Sequence, residues 1–333
     1  MSIGSELSKA SGTLILSLAL SLFLPGQLSA QVVRASRLAI ENDGLVLWNP
    51  PHERTDRYYT NGLTVDAVLA WAPRWTRLLA KDAPGVCPTS PGPGPCVLTR
   101  LTVGQAIFTP DWLFDPIPRQ NDRPYAGWLY ANATTSRITA RGSRSLGIEI
   151  GVTGKPSMAS PAHRWVHRTL GKAEPQGWDS QIPFELAFAV EYESRTIVAR
   201  MARESGASIQ LEPHGSVSLG TLRTGGTGGL SLEAGWNVPP HPDWFGHGPG
   251  SFYLLLSAGV EAELVLRDLF LDGSTWRESP TTERTPIVGR AHIGLEVGAG
   301  PFGLAFNVTR SSIQFREQLS SHSVGEISIV LRP

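Results

Sequence analysis

Leu254-Leu255-Leu256-Ser257-Ala258-Gly259-Val260-Glu261-Ala262-Glu263-Leu264-Val265-Leu266-Arg267 is the stretch that decides the fold. Leu254, Leu256, Ala258, Val260, Leu264 and Leu266 share one face, and Ser257, Gly259, Glu261, Glu263 and Arg267 share the other. A period of two belongs to a strand with one apolar and one polar face. The pattern recurs outward from this stretch. Leu186, Phe188, Val190 and Tyr192 oppose Glu185, Ala187, Ala189 and Glu191. Leu230, Leu232, Ala234 and Trp236 oppose Ser231, Glu233 and Gly235, and Leu146, Ile148, Ile150 and Val152 oppose Gly147, Glu149 and Gly151. A soluble sandwich alternates in the same way. Here, however, the apolar faces are almost free of charge, while the other faces carry glycine, serine and glutamate, as a polar lumen requires. Trp and Tyr stand near segment ends, as interfacial girdles require. A bilayer admits β structure only when it closes on itself.

Twelve strands are expected, at 34–43, 58–71, 98–108, 124–137, 145–153, 182–197, 206–223, 228–237, 251–267, 286–299, 301–314 and 324–332. The predicted fold is therefore all-β, a twelve-stranded antiparallel transmembrane β-barrel. One short helix, Ser160 to Leu170, interrupts it in an extracellular loop. Ser160-Pro161 reads as an N-cap followed by proline at the first helical position, and Gly171 as the stop.

The ends and the composition agree with export. Residues 1–30 read as a secretory signal peptide. Lys9 lies in a polar start, Leu14 to Leu24 form an apolar core, and Leu28-Ser29-Ala30 is a small-residue cleavage site. The apolar run is shorter than the ~20 residues of a spanning helix. Residues 31–333 then form one barrel domain. The chain has 29 Lys and Arg against 29 Asp and Glu, a balance that excludes the electrostatic footprint of a nucleic-acid binder. Its only two cysteines, Cys87 and Cys96, flank a Pro/Gly-rich loop that a disulfide could close in an oxidising compartment.

Counting strands places the unusual residues on one rim. With both termini in the periplasm, links 44–57, 109–123 and 154–181 are extracellular, and 72–97 is periplasmic. Glu41-Asn42-Asp43, Asp56-Arg57-Tyr58-Tyr59-Thr60-Asn61-Gly62, Thr109-Pro110-Asp111, Asn121-Asp122-Arg123-Pro124-Tyr125-Ala126-Gly127, and His163, Arg164 and His167 all fall at the extracellular end. A neutral histidine there can take a proton from water. Asp and Asn oxygens suit Ca²⁺, which polarises an ester carbonyl. No G-x-S-x-G elbow or H-E-x-x-H occurs. His163 and His167 are four apart, on one helix face, but no second ligand set completes a zinc site. Asn42-Asp43 also reads as an ordinary turn and Asp122-Arg123 as a rim ion pair.

In this order the blocks Glu41-Asn42-Asp43, Tyr58-Tyr59-Thr60-Asn61-Gly62, Asp122-Arg123-Pro124-Tyr125-Ala126-Gly127, Gly151-Val152-Thr153-Gly154, Trp165-Val166-His167-Arg168-Thr169-Leu170-Gly171 and Gly177-Trp178-Asp179-Ser180-Gln181 resemble the outer-membrane lipid A 3′-O-deacylases. The resemblance covers about residues 38–185. It implies a twelve-stranded barrel that removes the 3′-linked acyloxyacyl group of lipid A in a Ca²⁺-dependent reaction similar to that of secreted phospholipase A2. His167 would activate water, Asp43 with Asn42 beside it would bind Ca²⁺, and Thr60 would be the active-site hydroxyl. The family has a functional lysine in the third loop. This chain has only Arg119 between Asp111 and Asn121, so Arg119, with Arg123, is the expected substrate-binding cation. The family glutamate after the histidine block aligns with Ala173, and Glu174 follows as the remaining candidate Ca²⁺ ligand. The implied partners are lipopolysaccharide and outer-membrane lipid, with the site facing the cell exterior and the chain acting as a monomer. An outer-membrane phospholipase and a small porin or structural barrel are the competing readings.

Overall fold

The computed structural model describes residues 33–46, 56–78, 85–88, 94–117, 119–241 and 252–332. The signal-peptide expectation lies outside the described residues. Thirteen strand segments follow in chain order: β1 (Val33–Asn42), β2 (Tyr58–Leu69), β3 (Cys96–Thr109), β4 (Ala126–Thr139), β5 (Gly142–Val152), β6 (Leu186–Thr196), β7 (Ala199–Ala202), β8 (Ala207–Gly220), β9 (Arg223–Trp236), β10 (Phe252–Asp268), β11 (Ile287–Ala299), β12 (Phe302–Ser311) and β13 (His322–Leu331). Sequential strands pair antiparallel, and β13 returns to β1 with Ser36 opposite Leu331 and Asn42 opposite Gly325. The sheet is thereby closed. Both β6 and β7 pair with β8, and the register slips by one between Arg195↔His214 and Ala199↔Leu211. A bulge splits one stave in two, so the thirteen segments make the twelve staves of the predicted barrel.

The alternating pattern sorts as expected. Leu186, Phe188, Val190, Tyr192, Ile148, Ile150, Leu230, Leu232, Leu256, Val260, Leu264 and Leu266 are exposed on the outside of the wall, where lipid replaces water. Charged side chains bridge the lumen: Arg290 meets Glu261 at 3.1 Å and also Glu263, Arg37 meets Asp66 at 3.6 Å and also Glu326, and Arg332 meets Glu296 at 2.8 Å. No helix among the described residues is long and apolar enough to cross a membrane.

Two boundaries differ from the sequence reading. The turn expected at 224–227 lies inside β9, and the chain reverses at Thr221-Leu222 instead. Gly225 is part of the strand and faces the lumen, where a Cβ would lie 2.2 Å from Leu264 O. The helix, α1, runs Ala159–Thr169 and is preceded by Met158 in the left-handed region, so Ser160 is not its cap. Its stop is as expected: Gly171 has a φ of +67°, and Lys172 N–H donates to His167 O at 2.8 Å.

The rim where β1 begins and β13 ends is termed lower, and the opposite rim upper. Cys87 and Cys96 form the expected disulfide. It packs with Ala35, Val68, Leu98 and Ile138 at the lower rim.

Candidate active site at the upper rim

The upper site begins where β1 ends. Asn42 caps a short 3-10 turn, Asp43–Leu45: its Oδ1 accepts from Gly44 N–H at 2.8 Å, and its Nδ2 donates to Thr60 O at 2.7 Å. That turn aims Asp43 inward. Asp43 is fully buried, its Oδ2 accepts from Arg57 N–H at 3.1 Å, and its Oδ1 has no partner. Burial, then the negative charge of Asp56, push the Asp43 carboxyl up to about 8. Thr60 and Thr109 share a 2.6 Å hydrogen bond, and the Thr109 hydroxyl donates to Asp56 O at 3.2 Å. The two strand threonines therefore hold the backbone of Asp56 in place.

Helix α1 supplies the histidines. It docks on the wall through Ala159, which packs with Ile107, Leu113, Tyr125 and Trp178. Its approach to β4 needs Gly127, because a Cβ there would lie 2.2 Å from both Ala159 Cβ and Ser157 Oγ. Spacing by four then turns His163 and His167 onto the same buried face, with ring centroids 4.6 Å apart. Trp178 Nε1–H donates to His163 Nδ1 at 3.3 Å. Burial, then His167, lower His163 to about 4, so it is neutral at physiological pH.

His167 Nδ1 pairs with the carbonyl of Ala173. A carbonyl only accepts, so this bond assigns the proton to Nδ1 and leaves the Nε2 lone pair free in the neutral ring. Nε2 lies 3.2 Å from Asp56 Oδ2 but has no hydrogen-bond partner. A lone pair facing a carboxylate needs a proton, a water or a cation beside it. Lys172 Nζ approaches the same Asp56 oxygen at 3.4 Å.

The residues named from sequence separate into two groups. Asp43, Thr60 and His167 converge on Asp56, whereas the Asn42 amide is engaged on both sides. Glu174 pairs with Arg168 at 3.4 Å and is outside the cluster. Arg119 pairs with Asp115 at 3.3 Å on the surface and stacks over Trp112. Arg123 is buried inside the barrel, where it donates to Gln314 Oε1 at 2.7 Å and lines a lumenal cavity of about 390 Å³. The expected Asp122–Arg123 side-chain pair does not form, because Asp122 accepts from the backbone N–H groups of Asp111 and Arg123. Sequence reasoning placed Asp56 on the rim without assigning it a role. The signal was Asp56 opening the block that holds Thr60, and the fold sets it beside His167 of the helix. One donor atom each of Asp56, His163 and His167 lies within 4.8 Å of the others. Asp56 thus completes, with these histidines, a set of three groups that could hold a metal ion.

No curated protein matches the chain. The family described as outer membrane protein LpxR matches residues 14–332. Among solved structures, LpxR from Salmonella typhimurium is 17% identical and covers 90% of this chain and 100% of its own, at a TM-score of 0.73, so the two share a fold. The β domain of the Bordetella autotransporter Brka is 8% identical, covers 90% of this chain and 99% of its own, and has a TM-score of 0.43. The translocator domain of the autotransporter NalP from Neisseria meningitidis is 11% identical, covers 99% of this chain and 97% of its own, and has a TM-score of 0.40. Both are too distant to carry an argument.

Proposed function

The chain belongs to the family of outer membrane protein LpxR and is an outer-membrane β-barrel, and from that premise we propose that it is a lipid A 3′-O-deacylase. Residues 1–30 serve as its export signal, 31–333 form the barrel, the upper rim faces the cell exterior, and the protein acts as a monomer on lipopolysaccharide of the outer leaflet. One observation carries the reading: a buried imidazole with its Nδ1–H tied to Ala173 O and its Nε2 free beside Asp56.

The chemistry follows from that geometry. His167 Nε2 accepts a proton from water, and the water oxygen attacks the carbonyl carbon of the 3′-acyl ester. The imidazolium that forms is steadied by the Asp56 carboxylate and by the Ala173 carbonyl. When the tetrahedral adduct collapses, Nε2 returns the proton to the departing sugar oxygen, giving a fatty acid and a free hydroxyl. The ring orientation is fixed from the other side, by the Nδ1–H bond to Ala173 O.

The oxygen donors fit Ca²⁺. Asp43 and Asp56 are carboxylates close enough that one raises the other, and Asp43 Oδ1 is buried without a partner. Two such groups call for a hard cation. Asn42 spends its amide on the turn, and the imidazoles suit softer ions. Asp43 and Asp56 would therefore hold Ca²⁺, which when bound supplies positive charge to the ester carbonyl oxygen. The Arg119 and Arg123 roles rest on the resemblance alone. Arg119 is the better placed of the two for a lipid A phosphate, since it is on the surface.

The test is purified protein with lipid A, with and without a calcium chelator, beside phosphatidylethanolamine. Calcium-dependent loss of the 3′-acyloxyacyl group, with the phospholipid intact, is expected. Hydrolysis of phospholipid alone would establish the phospholipase reading, and ion conductance without hydrolysis the porin reading.

A further inference from the structure

At the lower rim a groove of about 360 Å³ opens between the ends of β4, β5 and β6. Its lining includes Arg137, Arg141, Arg144 and Arg195, hydroxyls from Thr139 and Ser194, and no carboxylate. Arg195 Nε is held by Glu193 at 2.7 Å. Among the described residues no carboxylate pairs with Arg141 or Arg144. Arg137 and Arg144 stand directly opposite each other across β4 and β5. The pair brings two guanidinium groups to one place on the wall.

The parity of the strands puts Arg137 and Arg144 on the outside of the wall and Arg195 on the lumenal side. Ile148 and Ile150 are each 46% exposed on the outside of the wall, and Arg144 shares their face two and three pairs of residues lower. Arg144 is therefore ~20 Å along the strand from Ile150, at ~3.3 Å per residue. An apolar band is ~25 Å tall, so Arg144 stands at its foot. On β6 the same change occurs: Leu186, Phe188, Val190 and Tyr192 face lipid, and Ser194 and Thr196 follow below. At the corresponding ends of β9, β10 and β12 stand Trp236, Phe252 and Phe302, the aromatic girdle common to such barrels. On β4 and β5 the outward positions at that level carry Arg137 and Arg144 instead.

We propose that this groove binds the phosphate headgroup of an anionic phospholipid from the periplasmic leaflet, through Arg137 and Arg144 on the barrel face and Arg141 in the turn. Guanidinium groups match a phosphate bidentately. A lipid is favoured over a free phosphate because the acyl chains of a headgroup held there run up the apolar strip of Leu146, Ile148 and Ile150. The site is on the opposite rim from the hydrolytic cluster, and its failure would leave that reading untouched.

The experiment is native mass spectrometry of the full chain, delipidated in a neutral detergent and titrated with dioleoylphosphatidylglycerol. Dioleoylglycerol, with the same chains and no phosphate, and inorganic phosphate serve as the other arms. Retention of phosphatidylglycerol is expected to fall at least tenfold in Arg137→Gln/Arg144→Gln and to weaken with salt, while lipid A deacylation changes by less than twofold. Single Arg144→Gln, at an exposed position, carries the test with a threefold loss should the double variant not fold. Equal retention by wild type and variant would overturn the proposal. So would equal retention of dioleoylglycerol, or displacement of the lipid by inorganic phosphate at the same concentration.

Discussion

At the upper mouth of the barrel, Asp43 Oδ1, His163 Nε2 and His167 Nε2 are buried without hydrogen-bond partners, around Asp56. At the lower mouth, the Cys87–Cys96 disulfide closes over Ala35, Val68, Leu98 and Ile138. There the lumenal Arg332 meets Glu296 at 2.8 Å and also binds Tyr253. A buried donor or acceptor left unpaired costs about 1–3 kcal/mol. Three such atoms in one place are an expense that a folding role does not explain, while the disulfide and the Arg332–Glu296 pair inside the lower mouth are what the same wall uses to hold itself together. The difference separates a polar cluster kept ready for chemistry from an interior plug that holds the barrel shut.

The sharpest way to break this contrast is to remove groups at each mouth and compare. Asp43→Asn is expected to lower calcium-dependent deacylation a hundredfold or more, while the barrel folds normally, because Asp43 is protonated at neutral pH without a cation. Far-UV circular dichroism and released fatty acid report the two halves of that statement. Asp56→Asn is expected to cost about a hundredfold in turnover, equal to roughly 2.7 kcal/mol of barrier. A loss confined to KM would assign Asp56 to substrate binding instead.

Asp43 also sets a pH dependence. Its folded value of about 8 stands above the ordinary 3.8, so the folded protein holds a proton that the unfolded chain releases. Without a cation, the stability it contributes is present at low pH, is lost as pH rises from about 4 to about 8, and is level above that. Calcium must displace this proton. Its half-saturating concentration is expected to fall about tenfold per pH unit from 6 to 7.5 and to level off beyond 8. A flat profile in calorimetric titration would remove Asp43 from the calcium site.

The lower mouth is expected to respond in the opposite sense. Cys87→Ser/Cys96→Ser should cost about 2–3 kcal/mol of stability, as for a disulfide closing a short loop, and change turnover less than twofold. A large loss of activity would mean the two mouths are coupled. The smallest effect is expected at Arg119→Gln, within threefold in KM, since Arg119 already pairs with Asp115 on the surface.

The wall was legible because its signal is local. A period of two, apolar on one side and polar on the other, survives in every strand, and both the stave count and the rim assignment follow from it. The start of β9 was not legible because Arg223-Thr224-Gly225-Gly226-Thr227-Gly228-Gly229 carries no apolar residue to alternate. The site was half legible. Asp43, Thr60 and His167 stand in blocks that announce themselves, but the Asp56–His167 approach joins residues 111 positions apart through a turn and a docked helix, and no periodicity reports it. Glu174 missed for a related reason. The feature that orients His167 is the backbone carbonyl of Ala173, and a carbonyl leaves no mark in the sequence.

The most direct test of the hydrolytic account is mass spectrometry of lipid A from Gram-negative cells expressing the chain or its His167→Ala variant, with both proteins shown to be folded in the outer membrane. The account predicts loss of the 3′-acyloxyacyl mass with the wild-type chain and unmodified lipid A with the variant, from a drop in turnover of about 10²–10⁴. Deacylated lipid A from cells carrying the variant would contradict it.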